Sequence, residues 1–598
     1  MTDLDLARQR LGKEDLVLAV HDGSFPSEAA DDIGRGTPYG RGARGLYAFA
    51  RELGFTGVQL GPQGVTSRIN PSPYDGTLFS KSPLAIALEE LTEPDRETGC
   101  APLLPPNALA ELVQQARSRA GGDRDDVAYE LAFDNHARAL EQAFATFQRS
   151  GSPALRQAEV EFIDASRGWL EGDAAHEPEA QRPVYRFAQF LVHRQHARLR
   201  RTLGALGLSL YGDWQIGIGW RDALTYGALF VPHYAMGAPP SRTTPDGQPW
   251  SYAVLDPSWA DARETDDTVG GAGRRFVLAR LRKSLGEYDA LRIDHPHGWI
   301  DPWVYDRREP DPDHAVRVGA RLHAAPDLPE HPELARYAIA RPDEIDRSET
   351  RYGDDWVMRL DEEQVDRYAR GFDVIMQGTQ QRVVCEILST QPYPLARVMQ
   401  RYGLGRFRVT QKSDVLLPDD VYRSDQAEPA DWIMMGNHDT SPMWTVVPSW
   451  TPAKREARAR YFAERLGIAP AGREGWIRQL VAEPEAMVHA ELADILASRA
   501  AHVSIFFADL FGQTEIYNRP GIVDPRNWRL RVPGAYRTHY AAARQQHRAL
   551  DFPFAFALAL HARGLVTGEH EELFTRLAAA AARPLPPLAW SGTTPLER

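Results

Sequence analysis

The chain has 598 residues, 43% of them hydrophobic and 25% charged, so it can bury a large core and has the composition of an ordinary globular protein. Its 69 basic and 82 acidic residues give a formal net charge of −13, which argues against nucleic acid or an anionic membrane as partner and suits a neutral substrate. Two cysteines (Cys100 and Cys385), no apolar run near the roughly 20 residues of a membrane span, and a start, Met1-Thr2-Asp3-Leu4-Asp5, without a basic or apolar leader pattern together lead to the expectation of a reduced, cytosolic protein.

In chain order, eight short apolar or β-branched runs stand out, most of them ending in a polar residue: 16–21, 57–62, 208–213, 290–294, 383–386, 407–411, 433–439 and 503–509. Near-continuous apolar runs of this length indicate strands buried on both faces, as in a parallel sheet. Helical patterns lie between them at 44–53, 184–206, 274–285 and 361–376, each followed closely by a glycine. Strand and helix in alternation, with eight strands, predict an α/β fold, a (β/α)₈ TIM barrel. Residues 1–99 carry the first barrel strands. Residues 100–183 read as a mainly helical inserted subdomain, with helices at 103–120 and 127–147 turning at Gly121-Gly122-Asp123. Residues 184–598 complete the barrel, with insertions at 225–271 and 301–360. Within these, 236–257 reads as a long loop rich in Pro and Gly, and 301–350 shows weak periodicity. All the insertions are expected at the C-terminal ends of the strands, where such a barrel keeps its chemistry. An Ala-rich stretch at 577–583 reads as a terminal helix.

Three acids close three of the runs. Arg292-Ile293-Asp294-His295 ends the fourth, Glu386 follows Val383-Val384-Cys385, and Asp439 follows His438. One carboxylate as nucleophile, one as proton donor and acceptor, and one to grip the sugar ring are what glycosidic bond cleavage with retention needs. Asp294 is the nucleophile candidate: Arg292, two residues earlier, points to the same side of the strand and favours the ionised carboxylate. Glu386 is the proton-donor candidate, because an apolar pocket after Val383-Val384-Cys385 would raise its pKa. His438 could donate to a sugar hydroxyl. On the residues alone, Arg292 and Asp294 read equally well as a structural ion pair, and any single strand-end acid reads as solvent-facing. Cys385 reads as core. His295-Pro296-His297 lacks further ligands at a zinc-like spacing, and Gly217-Ile218-Gly219 lacks the third glycine of a dinucleotide loop.

With these residues in place, the chain resembles the amylomaltases, the 4-α-glucanotransferases of glycoside hydrolase family 77, from about residue 20 to 532. The resemblance runs in order through Val58-Gln59-Leu60-Gly61-Pro62, Ser72-Pro73-Tyr74, Tyr185-Arg186-Phe187 with Gln189 and Arg194-Gln195, Gly212-Asp213, Gly237-Ala238-Pro239-Pro240 and Gly247-Gln248-Pro249-Trp250. It continues through Arg292-Ile293-Asp294-His295, Glu386, Gly436-Asn437-His438-Asp439, Asp509-Leu510-Phe511-Gly512, Asn518 and Asn527-Trp528-Arg529. It implies Asp294, Glu386 and Asp439 as catalytic, and Ser72, Tyr74, Asp213, Gln248, Trp250, Arg292, His295, His438 and Asn518 as substrate-binding. It implies no cofactor and no metal, and α-1,4-glucans and maltooligosaccharides as binding partners. Departures stand on the acceptor side: Ser241-Arg242-Thr243 replaces an aspartate and two aromatics, Ile387-Leu388-Ser389 replaces Asp-Leu-Gly, and the stretch from Asp294 to Glu386 is longer. The expectation is therefore a retaining 4-α-glucanotransferase working through a covalent glycosyl-enzyme. The alternatives are an α-glucan hydrolase, a transferase with an unusual acceptor, or a non-catalytic glucan-binding protein.

Overall fold

Each of the eight apolar runs supplies one strand of a single parallel sheet. In the computed structural model, which describes residues 2–119, 126–241, 244–379, 382–388, 390–568 and 570–588, these are Asp15–Ala19 (β1), Gly57–Gln59 (β2), Ser209–Trp214 (β3), Ala290–Ile293 (β4), Arg382–Cys385 (β5), Phe407–Val409 (β6), Trp432–Met434 (β7) and His502–Phe506 (β8). The hydrogen-bonded order is β6-β7-β8-β1-β2-β3-β4-β5. Across the remaining seam, Phe407 N–H donates to the Ile387 carbonyl at 2.9 Å, so the sheet is a nearly closed barrel.

Side-chain alternation sorts the strand residues into two cores. Val17, Tyr211, Ala290, Val384, Trp432 and Met434 meet inside the barrel. Leu16, Leu18, Leu210, Leu291, Ile293 and Ile433 face the surrounding helices. The period of two is what makes both faces apolar and the runs nearly continuous. Helices Arg41–Glu52, Arg182–Ala205, Val269–Glu287 and Glu362–Gly378 follow the first four strands' regions, the last begun by a capping box between Asp361 and Gln364.

Between β2 and β3 lie the helices Pro106–Arg119, Tyr129–Ser150 and Pro153–Ala174. The third was not anticipated, although Ser152 caps it and Pro153 opens it. The expected turn at Gly121-Gly122-Asp123 lies outside the described residues. The terminal helix is His570–Ala580, earlier than the Ala-rich stretch suggested.

The two later insertions differ from the sequence reading. They do not remain loops: Phe230–Ala238, Gln248–Leu255, Trp303–Asp306 and Ala320–Arg321 pair antiparallel as one four-stranded sheet. Left-handed backbone at His233 (φ 66°), Gly247 (φ 72°) and Ser251 (φ 62°), with two register shifts in the first hairpin, breaks the alternation that would have marked strands. Among the described residues, no helix is long and apolar enough to cross a membrane.

Candidate active site

The site is the continuation of the barrel's inward-facing rows by one step. After Tyr211 the next inward position of β3 is Asp213; after Ala290 on β4 come Arg292 and Asp294; after Val384 on β5 comes Glu386. Arg292 therefore meets three carboxylates. Its Nη1 lies 2.6 and 2.7 Å from the two oxygens of Asp213 and 3.3 Å from Asp294 Oδ1, and its Nη2 lies 2.5 Å from Glu386 Oε2. Asp294 Oδ2 also accepts from the amide of Ile216 at 3.2 Å.

Asp213, expected among the substrate contacts, has a side chain with no exposed surface, and Arg292 and the Tyr74 hydroxyl (2.8 Å) occupy its oxygens. It fixes Arg292 from behind. The Arg292 side chain is only 3% exposed and lies as a counter-ion below the acids.

Asp294 and Glu386 converge on Arg292 and titrate as a pair. Burial pushes the Asp294 carboxyl far up; Arg292 opposes this, and the charges of Glu386 and Asp213 add to it. Burial also pushes Glu386 up, but Arg292, His438 and the neighbouring Asp294 hold it below the usual carboxylate range. The pocket of Glu386 is not the apolar one that Val383-Val384-Cys385 suggested, because Arg292 stands nearer to it than to Asp294.

Asp439 lies beyond the end of β7, on a turn rather than at the strand end. Asn437 Oδ1 accepts the Asp439 amide at 3.0 Å, and Asn518 Nδ2 donates to Asp439 Oδ1 at 2.6 Å. A Cβ on Gly436 would come within 2.3 Å of Gln411 Nε2 and 2.6 Å of Thr440 Oγ1, so those side chains would have to shift. Asp439 is the most open of the three acids, with 38% of its side chain exposed. His438 Nε2 lies 3.4 Å from it.

His438 and Tyr74 stack at 5.1 Å. Two aromatic neighbours complete this wall and were not singled out in the sequence. His21, at the next inward position beyond β1, lies 5.0 Å from the His438 ring and stacks on Trp528 at 5.6 Å. Trp528 takes a left-handed backbone conformation (φ 64°) that turns its ring toward the others. Leu60-Gly61-Pro62 gains a physical reason from the same wall: a Cβ on Gly61 would sit 2.7 Å from His21 Nδ1. Burial holds the His21 imidazole well below its ordinary pKa, reinforced by His438 and Arg292, so the ring is neutral.

On the opposite side, Trp250 meets the His295 ring edge-on at 4.9 Å, and its indole N–H donates to Gln248 Oε1 at 2.8 Å. His295 follows the nucleophile candidate with φ 41° and stacks on His297 at 4.5 Å. Burial pushes the His295 pKa far down, with His297 and Arg321 adding to it. Ser72 opens the turn Pro73–Asp75 that presents Tyr74, and its amide donates to Asn70 Oδ1 at 3.1 Å. Ser241 is described; Arg242, Thr243 and Ser389, which mark the departures on this side, lie outside the described residues.

The helix Arg182–Ala205 shows why a Tyr-Arg-Phe-x-Gln pattern belongs with this site. Gln189 accepts from the Lys81 amide (2.9 Å) and donates to the Lys81 carbonyl (2.8 Å). Gln195 holds Ala87 the same way, at 2.8 and 3.1 Å. Tyr185 donates to Ser80 Oγ at 2.7 Å. These contacts pin the chain just after the loop that carries Ser72 and Tyr74. Asp509 is structural, because its Oδ1 accepts from the Met443 amide at 2.7 Å, at the start of helix Met443–Ser449.

The sequence profile of the family described as 4-alpha-glucanotransferase matches residues 20–177 and 171–537. The chain belongs to glycoside hydrolase family 77. Among its relatives in this family, a 4-alpha-glucanotransferase of Aquifex aeolicus is 26% identical over 307 residues, covering 45% of this chain and 58% of that protein. One of Thermus thermophilus is 26% identical over 305 residues, covering 44% and 55%. The chain thus spans little more than half the length of these relatives. Among solved structures, an amylomaltase of Streptococcus agalactiae in complex with acarbose superposes with a TM-score of 0.63 at 17% identity, covering 90% of this chain and all of that one. An amylomaltase of Corynebacterium glutamicum gives 0.59 at 17% identity, covering 96% and 76%. At this identity the likeness concerns the fold, and it is the family-77 barrel.

Proposed function

We propose that the protein is a retaining 4-α-glucanotransferase that moves segments of α-1,4-glucan between maltooligosaccharides. The observation that carries this reading is the convergence of Asp294 and Glu386 on Arg292 from neighbouring strand ends, with Asp439 held opposite by Asn518. Family membership supports it, as does the acarbose-bound Streptococcus agalactiae amylomaltase of the same fold.

In this reading the carboxyl pair holds one proton and one negative charge before donor cleavage and again after transfer; in the glycosyl-enzyme between them Asp294 is esterified and Glu386 carries the charge. A retaining pair stands about 5–5.5 Å apart when a sugar lies between its members. With a glucan bound, the proton is on Glu386 and Arg292 is the counter-ion of the ionised Asp294. Asp294 then attacks the anomeric carbon while Glu386 gives its proton to the leaving glycosidic oxygen. Glu386, now ionised, takes the proton from the 4-hydroxyl of an acceptor sugar. That oxygen attacks the anomeric carbon, breaks its bond to Asp294 and releases Asp294 as the carboxylate. Asp439 grips ring hydroxyls and favours the distorted, oxocarbenium-like state. Tyr74, His438 and Trp528 form the wall against which the reacting ring lies. Ser72, Gln248, Trp250, His295 and Asn518 line the positions around it.

The test is the product pattern from maltotriose, with and without added glucose. Transfer gives a ladder of longer and shorter oligomers. Shorter sugars alone would make the protein a hydrolase, and tight glucan binding without any product would make it a binding protein.

A further inference from the structure

A cavity of about 450 Å³ lies beside the catalytic acids without including them. It is bounded by the segment after β3, by helices Val269–Glu287 and Glu362–Gly378, and by the small antiparallel sheet. Its depth is largely apolar and aromatic: Ile216, Met236, Trp259, Phe276, Ile300 and Leu322 are all buried there, and the one buried guanidinium among them, Arg280, is held over the Trp214 ring and donates to the Gln215 carbonyl. Trp299, also in the wall, has a buried indole N–H with no hydrogen-bond partner. The rim carries three exposed arginines and two aspartates. Arg370 pairs with Asp261; Arg336 donates to the Tyr337 hydroxyl at 2.6 Å, which donates to Asp256 at 3.2 Å; among the described residues no carboxylate lies within ion-pair distance of Arg336 or Arg367.

These features select a ligand class. A sugar placed in the depth would bury several hydroxyls among aliphatic and aromatic side chains, an unfavourable exchange for each one left unpaired. A flat or branched hydrocarbon body gains there instead, and a single anionic group suits the Arg336 and Arg367 guanidinium groups, neither of which has a carboxylate partner among the described residues. We propose that this cavity binds a small amphipathic anion, with its apolar body against Trp259 and Trp299 and its carboxylate, phosphate or sulfonate at Arg336 and Arg367. The site touches the reaction centre through its walls. The amide of Ile216 is the group that donates to Asp294 Oδ2, and Trp299 stacks on Trp214 of β3 at 4.8 Å in the short helix that begins three residues after Asp294. An occupant that presses on Ile216 and Trp299 changes the hold on Asp294 and therefore turnover, a coupling between two sites.

The experiment uses the full chain, with 8-anilinonaphthalene-1-sulfonate followed by fluorescence and 1-naphthoate by calorimetry. 1-Naphthylmethanol serves as the neutral control, and excess maltotriose occupies the glucan site. We expect one saturable site per chain that maltotriose does not displace. The neutral analogue and the double variant Arg336→Gln/Arg367→Gln, checked for folding by thermal unfolding, should each bind at least tenfold more weakly. Saturation with 1-naphthoate should change maltotriose turnover at least twofold in the wild type and not in the double variant. Displacement by maltotriose, equal binding of the neutral analogue, unaltered binding by the double variant or absence of saturable binding would each overturn the site. An occupied cavity with unchanged turnover would overturn its coupling to Asp294. Since the binding arms do not depend on any reaction, they can succeed or fail independently of the glucanotransferase reading.

Discussion

Arg292 Nη2 and Glu386 Oε2 lie 2.5 Å apart, closer than Arg292 stands to Asp294. This contact makes Arg292 a partner of both acids of the carboxyl pair. Negative charge on Glu386 helps raise the Asp294 pKa, so removing that charge must lower it. We therefore expect Glu386→Gln to lose transfer between natural sugars yet still be glycosylated by α-maltosyl fluoride, whose leaving group needs no proton. The acidic limb of its pH profile with that donor should move to lower pH than in the wild type, by about one unit, worth about 1.4 kcal/mol. A limb that stays in place would show that the two carboxyls do not titrate as a pair.

Asp294→Asn should lose turnover by about four orders of magnitude, because an amide cannot form the glycosyl ester. Its fold should survive. Asparagine keeps the acceptor for the Ile216 amide and removes a carboxyl that burial already drives toward its neutral form. Near-wild-type activity in the purified variant would move the nucleophile to another carboxylate.

How much of this was legible in the sequence follows from which residues act locally. The β4 sequence Ala290-Leu291-Arg292-Ile293 contains both its apolar outer row and the inward row that ends in Arg292 and Asp294, so strand and site could be read together. The hairpin of Phe230–Ala238 and Gln248–Leu255 could not, because left-handed residues and register shifts remove the alternation. His21 and Trp528 are brought beside His438 only by barrel closure. Signals existed, since His21 closes the first apolar run and Trp528 sits in the final motif, but neither residue type alone points to a sugar. The unequal approach of Arg292 to the two acids, a difference of less than 1 Å, is encoded by no residue pattern.

Asp213 tests positioning separately from contact. Its side chain touches Arg292 and Tyr74 and has no exposed surface, so Asp213→Asn should lower kcat by about 100-fold, about 3 kcal/mol, while KM changes little. Tyr74→Phe keeps the ring stacked on His438 and loses the hydrogen bond to Asp213 and the longer one, 3.4 Å, from Arg292; less than tenfold is expected, about 1 kcal/mol. A rise in KM with unchanged kcat for Asp213→Asn would mean that the residue meets sugar after all.

Asp222 offers a prediction about stability. It has no exposed surface, its Oδ2 accepts the Leu78 amide at 3.1 Å, and its Oδ1 has no partner. Burial, with the nearby Asp173 charge, pushes its pKa up to about 7. Between about pH 4 and pH 7 the folded chain keeps this proton and the unfolded chain has lost it. Unfolding then releases a proton, so stability falls as pH rises through this window. Asp222→Asn should remove that loss, raising stability at pH 8 by on the order of 3 kcal/mol and leaving it nearly unchanged at pH 4. Urea unfolding of both proteins at the two pH values measures it, and an equal change at both would place the effect elsewhere.

In the proposed reaction the acceptor side turns on Trp250. Where an aspartate and two aromatics were expected after Pro239-Pro240, this chain has Ser241, Arg242 and Thr243, so stacking area must come from elsewhere. Trp250 provides a ring beside the nucleophile: it is half-buried, anchored through its indole N–H to Gln248, and set edge-on to His295. Tyr252 cannot substitute easily, because its ring already packs against Gly217, within 2.7 Å of where a Cβ would stand. A sugar stacked on Trp250 would gain about 1 kcal/mol or more and keep water from the glycosyl-enzyme. Trp250→Ala should therefore leave hydrolysis close to the wild-type rate and reduce transfer by about tenfold, so that the ratio of longer oligomers to glucose from maltotriose falls. Added glucose should restore transfer only at higher concentration than in the wild type. An unchanged ratio in a folded, active Trp250→Ala variant would show that the acceptor sugar is held by other side chains.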